Sequence, residues 1–206
     1  MTINYPNGPS PSKHGPLNKK KQVLAHGKSS NFANRGMTFE EQINQSNTYY
    51  RQKELAIVHK KPTPVQIVKV DYPRRSAAKI TEAYFTQAST TDYNGVYRGY
   101  YLDFEAKETK NKTSFPLSNF HEHQLAHMRA CLSQGGITFV LLWFSSLQRC
   151  FFLDAKVLLE FWSQQTNGTK SIPLKAIEKH GIEIPIEYSP RIPYIRAVDQ
   201  YLEKEI

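Results

Sequence analysis

The chain has 206 residues, of which 39% are hydrophobic, enough to bury one sizeable core but leaving little room for two large domains. Lys and Arg outnumber Asp and Glu by 27 to 18, and the resulting charge of +9 favours a polyanionic partner, because neutralising phosphates releases counterions. An apolar run of the ~18 residues that cross a bilayer is missing, as is the apolar core of a signal peptide, so the expectation is a cytoplasmic protein with no membrane partner.

Residues 1–35 carry four prolines and the basic residues Lys13, Lys19, Lys20, Lys21, Lys28 and Arg35 with no acidic residue to offset them. Such a segment lacks the apolar content to fold. It reads as a flexible basic arm, either lying on DNA or merely solubilising. Residues 36–206 then form the folded domain. Thr38 followed by Glu41 has the spacing of a capping box, which predicts a helix running to about Glu54. Beyond it, Pro62 and Pro64 separate the β-branched runs Ala56–Val58 and Val65–Val70, which predicts a strand pair with Lys60, Lys61, Lys69, Arg74 and Arg75 at its bend and end. This segment, about 57–75, is either a projecting basic ribbon that contacts DNA or an ordinary edge strand.

The most regular strand spans Arg98 to Thr109. Leu102, Phe104 and Ala106 share one face, and Tyr101, Asp103, Glu105 and Lys107 share the other. Ser118 or Asn119 can cap a helix of about 15 residues that stops at Gly135-Gly136. Ile137 to Phe144 is an apolar run of strand length interrupted by Thr138, as expected of a strand covered on both faces. A strand from Arg149 to Leu153, a helix from Asp154 to about Gln164, a short helix near Pro173–Lys179 and a last one from Tyr194 to Glu203 complete the chain. This order describes an α/β fold with a central mixed sheet flanked by helices. Cys131 and Cys150 stand apart and read as buried thiols.

If Arg98-Gly99 is a two-residue turn, Asn94 faces Asp103, Asp92 faces Glu105 and Thr90 faces Lys107. Two carboxylates with Cβ atoms about 5 Å apart destabilise a sheet unless a cation sits between them. A divalent metal would do so, with Lys107 placed for a phosphate oxygen. The rival turn, Asn94-Gly95, pairs Asp92 with Tyr97 and leaves Glu105 a lone strand charge. Among other candidates, Asp103 reads as a hydrogen-bonding neighbour and Glu41 as a cap, with Glu40 beside it. Of His121, His123 and His127 on one helix only the last two have i, i+4 geometry, and without a third ligand nearby DNA contact or solvation is favoured over zinc.

Asp92, twelve intervening residues and then Glu105-Ala106-Lys107 match the D…ExK signature of the PD-(D/E)xK nucleases. The words Asn34-Arg35-Gly36, Lys79–Ala83, Ser89–Tyr97, Asp103–Lys110, Ser114–Leu117 and Asn119–Gln124 closely resemble the RecU family of bacterial Holliday junction resolvases. The resemblance implies a restriction-endonuclease-like fold and an endonuclease that resolves four-way junctions in recombination and repair. It implies a metal site of Thr90, Asp92, Glu105 and Gln124, catalysis by Lys107 with Asp92 and Glu105, and Mg²⁺, with Mn²⁺ the alternative. It further implies a homodimer, a stalk formed by the basic segment, and contacts with the recombinase RecA and branch-migration proteins. The rival readings are a nuclease of linear duplex and a non-catalytic junction-binding modulator.

Overall fold

A computed structural model describes residues 37–74, 77–86 and 90–205. The expected arm at 1–35, and Arg75, lie outside the described residues. Helix α1 (Phe39–Gln52) opens with the anticipated capping box, the Glu41 N–H donating to Thr38 Oγ1 and the Thr38 N–H to Glu41 Oε2. Then come β1 (Ile57–Lys60), β2 (Val65–Asp71), β3 (Lys79–Phe85), β4 (Tyr93–Tyr97), β5 (Tyr100–Thr109) and β6 (Ser114–Pro116). The second half holds α2 (Glu122–Ser133), β7 (Ile137–Phe144), β8 (Arg149–Asp154), α3 (Ala155–Ser163), β9 (Ser171–Pro173), α4 (Leu174–His180), β10 (Ile182–Ile184) and α5 (Tyr194–Glu205).

Six strands form one mixed sheet in the order β1-β4-β5-β7-β8-β10, antiparallel except for the β5–β7 pair. Strand β7 is buried at every position, because both faces of the sheet are covered. Phe39, Ile43 and Tyr50 of α1 and Tyr194, Ile195 and Val198 of α5 pack on one face against Leu102, Phe104, Phe139 and Leu141. Leu125 and Met128 of α2, Leu158 of α3 and Ile177 of α4 cover the opposite face against Val140, Leu142, Phe151 and Leu153. The period of two in β5 therefore sends Leu102 and Phe104 into the first core, and Asp103, Glu105 and Lys107 toward the α2 side.

Beneath those charged residues the aromatic rings run from strand to strand. Phe104 stacks on Tyr93 at 4.8 Å and on Phe139 at 4.7 Å, and Phe139 stacks on Phe152 at 4.4 Å. Each such pair is worth about 1 kcal/mol beyond its buried area, so the ladder holds β5 firmly between β4 and β7.

Three sequence expectations change. Strands β1 and β2 do not pair with each other: β1 joins the main sheet beside β4, whereas β2 pairs with β3 in a separate two-stranded sheet. Pro62 and Pro64 lie in the connection, where their missing N–H groups cost no ladder bond. Helix α2 begins at Glu122, after a short 3-10 turn at Leu117–Asn119, because Phe120 is extended and breaks the run. Cys150 is buried as expected, but Cys131 is only partly so, since it lies near the C-terminal end of α2 at the rim of an open cleft.

Gly95 sits opposite Val58 where β1 closes on β4, and a Cβ there would meet the Ile57 carbonyl oxygen at 2.2 Å. Gly99 has a positive φ of 84° but open space around it. Gly95→Ala should therefore lower stability by about 2 kcal/mol through overpacking. Gly99→Asn, which keeps a residue tolerant of left-handed backbone, should cost less than about 1 kcal/mol. Urea midpoints of the two variants measured side by side check this.

Candidate active site

The β4–β5 register decides what meets what. Arg98 and Gly99 both adopt positive φ, 48° and 84°, as a type I′ turn requires, and Tyr97 pairs with Tyr100 and Asn94 with Asp103. The rival turn at Asn94-Gly95 is thereby eliminated: both residues lie inside β4. The ladder ends at the Tyr93–Phe104 pair, and one residue further on the Asp92 N–H donates to Glu105 Oε2 at 3.0 Å.

Glu105 is fully buried, yet its carboxylate is well supplied with donors. Gln124 Nε2 donates to Oε1 at 2.7 Å, and Lys107 Nζ lies 2.9 Å from the same oxygen. Gln124 arrives from the first turn of α2, where its own Oε1 accepts the His121 N–H at 3.0 Å. One amide thus closes the helix start and reaches the sheet carboxylate. Burial pushes the Glu105 carboxyl up to about 8, helped by the neighbouring Asp92 carboxylate and opposed by Lys107. Asp92 and Thr90 are half-buried, and the Thr90 hydroxyl donates to the Thr91 carbonyl at 3.3 Å.

The structure therefore brings Asp92, Glu105, Lys107 and Gln124 together, with Thr90 adjacent in the loop that enters β4. The oxygen-rich pair of carboxylates suits a hard divalent cation, which would relieve the Asp92 repulsion that adds to burial in raising Glu105. Gln124 presents its amide nitrogen to Glu105, so binding a cation through its oxygen would require the amide to turn over and release His121.

A second polar cluster lies two residues back along β5. Asp103 is completely buried; it accepts from Thr91 Oγ1, from Lys61 Nζ at 2.8 Å and from Tyr101 Oη at 2.9 Å. His127 Nε2 approaches its Oδ2 at 3.2 Å. Lys61 is thus turned inward, also donating to Thr91 Oγ1 at 2.9 Å. Lys60 pairs with Glu40 at 2.6 Å across the α1–β1 contact. Of the residues taken as DNA contacts, Lys69 and Arg74 are exposed on or beside the separate hairpin. Sequence reasoning placed Asp103 on the correct face but missed its partners Lys61 and Thr91 and the nearby Cys131, which contacts His127. The i, i+4 spacing of His127 and Cys131 on α2 was the available signal.

The sequence model of the RecU family (recombination protein U) matches residues 34–200. The chain belongs to the RecU family. It is 58% identical over 205 residues, 99% of this chain and 98% of its relative, to a protein of Lactiplantibacillus plantarum named Holliday junction resolvase RecU. A protein of the same name from Geobacillus kaustophilus is 56% identical over 200 residues, covering 97% of each chain. One from another Geobacillus is 63% identical over 171 residues, 82% of this chain and 85% of that one. In this RecU chain Glu105 and Lys107 thus share one face of β5 and Asp92 adjoins them one residue before β4, in a family whose members carry the name Holliday junction resolvase.

The raised Glu105 carboxyl sets a pH dependence for the metal-free protein. A group whose folded value lies above its ordinary 4.5 contributes stability that is full below about 4.5 and is lost as pH rises through about 8. In chelator-containing buffer, wild type should lose stability between about pH 5 and about pH 9 relative to Glu105→Gln, which has no proton to lose there. Thermal melts of the two proteins across that range check the sign.

Proposed function

We propose that this chain is a structure-selective endonuclease that resolves four-way DNA junctions by Mg²⁺-dependent phosphodiester hydrolysis, with Mn²⁺ as the alternative ion. The observation that carries the reading is the buried Glu105 carboxylate beside Asp92 and Lys107, in a chain whose relatives are named Holliday junction resolvases. The mixed sheet, with Glu105 and Lys107 on β5 and Asp92 at the entry to the neighbouring β4, supports a restriction-endonuclease-like fold. Two symmetric nicks in a two-fold junction favour a homodimer. The substrate sets the cytoplasm as the place of action, and RecA and branch-migration proteins as the partners to test.

Asp92 and Glu105 would hold the cation, with Thr90 and a reoriented Gln124 completing its shell. The ion supplies Lewis acidity toward a phosphate oxygen and a nucleophilic water at neutral pH. The protein's share is positional and electrostatic. The Asp92 N–H holds the Glu105 carboxylate in place beside the chain segment that carries the Asp92 carboxylate. Lys107, ion-paired with Glu105 at rest, would stabilise the charge that grows on the phosphate.

Hairpin β2–β3 supports the assignment of a stalk. It packs into neither face of the main sheet, and its side chains are exposed except for a half-buried Val70. Its basic residues would follow junction phosphates. Replacing Lys69, Arg74 and Arg75 together with Gln should lower junction affinity more than linear-duplex affinity. It should also reduce the slope of log affinity against log salt by about 2 to 3. Equal losses on both substrates, read by electrophoretic mobility over a salt series, would reduce the hairpin to a general electrostatic patch.

The chemistry is tested by Asp92→Asn, Glu105→Gln and Lys107→Met, each assayed for junction affinity and single-turnover cleavage. All three should lose more than about 100-fold in cleavage rate while retaining junction binding. Cleavage of linear duplex at the junction rate would point to an ordinary nuclease, and a junction left intact by wild type with Mg²⁺ or Mn²⁺ would point to a binding modulator.

A further inference from the structure

Asp103, His127 and Cys131 converge from β5 and from two successive turns of α2, so that one ligand atom of each lies within 4.8 Å of the others. His127 Nε2 is 3.2 Å from Asp103 Oδ2 and 3.4 Å from Cys131 Sγ. In a tetrahedral zinc site, nitrogen and oxygen ligands stand about 3.4 Å apart, and nitrogen and sulfur about 3.6 Å, from the usual bond lengths. Two edges of the tetrahedron are therefore nearly preformed, and the third closes with about 1 Å of side-chain adjustment.

We propose that Asp103, His127 and Cys131 form a second metal site, selective for a soft or borderline divalent ion such as Zn²⁺ and separate from the all-oxygen catalytic pair. The thiolate and imidazole set its preference, because Mg²⁺ takes oxygen ligands and binds sulfur poorly. At rest the position of the cation is taken by the Lys61 ammonium, 2.8 Å from Asp103 Oδ2 and 3.5 Å from His127 Nε2. Asp103 is completely buried and needs a positive partner. A metal ion exchanges for that partner: Lys61 swings out to solvent still protonated, the Cys131 S–H bond breaks, its proton goes to solvent, and a metal–sulfur bond forms. No electron changes hands.

Access is available. A cleft of about 550 Å³ lined by Tyr101, His127, Cys131 and Gly136 opens beside the cluster, and water from it would supply the fourth ligand. The site also touches the catalytic loop, because Lys61 and Asp103 both bond Thr91, the residue before Asp92. Exchange of Lys61 for a metal ion thus changes what holds that loop.

Co²⁺ is the probe, because a Co²⁺–thiolate bond gives a charge-transfer absorption and a tetrahedral site gives intense visible bands. Titration of the full-length protein with Co²⁺ should show both, saturating at one ion per chain and reversed by Zn²⁺. Cys131→Ser should abolish the charge-transfer band, and His127→Ala should weaken Co²⁺ binding by about ten-fold or more. Lys61→Met, which removes the competing ammonium, should tighten it. Asp92→Asn should leave the band intact, so the result is independent of the nuclease reading. The proposal is overturned if wild type gives no charge-transfer band. It is equally overturned if the same band persists in Cys131→Ser, which would assign it to Cys150, the other cysteine of the chain.

Discussion

The site depends on the register of the β4–β5 hairpin, and that register is held from two sides. At the tip, Arg98 and Gly99 take the paired positive φ angles of a type I′ turn, which sets Tyr97 against Tyr100. In the body, the Tyr93, Phe104 and Phe139 rings stack across three adjacent strands. A slip of one residue would move Phe104 out of the core and Glu105 into it. The aromatic face thus aligns the charged face, although no aromatic side chain takes part in the proposed chemistry.

That alignment places a carboxylate where water cannot solvate it. Glu105 compensates with the Asp92 N–H, the Gln124 amide and the Lys107 ammonium, and still its carboxyl is raised. The arrangement leaves the metal-free site short of positive charge. A cation held there, as the proposed function requires, would gain attraction in a low-dielectric setting and relieve the Asp92–Glu105 repulsion. Asp103 solves the same problem differently: it carries its own ammonium, Lys61, from the end of β1. Two buried acids two residues apart on one strand are therefore balanced differently at rest: the Glu105 carboxyl stays raised among its donors, and Asp103 is paired with the Lys61 ammonium.

The hairpin β2–β3 follows another logic. Exposed Ile67, Val68, Ile80, Tyr84 and Phe85 give it little burial, and a two-stranded ribbon is marginal by itself. Separation from the main sheet leaves its backbone and side chains available to a partner, at a cost in local stability that the main core does not share.

Much of this was legible in the sequence. The alternation in β5 separated the apolar from the acidic face, the capping box located α1, and the run of β7, apolar but for Thr138, marked a strand covered on both sides. These features are local, set by side-chain period and by hydrogen bonds within a few residues. Sequence spacing left the Arg98-Gly99 and Asn94-Gly95 turns as rivals, because turn propensity is a small term that the packing of Phe104 and Tyr93 outweighs. It also grouped Lys60 and Lys61 with Lys69 in one basic ribbon. Only the tertiary structure sent β1 to β4 and turned Lys61 inward to Asp103, because that choice depends on a buried charge contributed 42 residues further along the chain. What a residue's own neighbours dictate, the sequence alone determined; which distant charges must meet to be buried at all was decided by the fold.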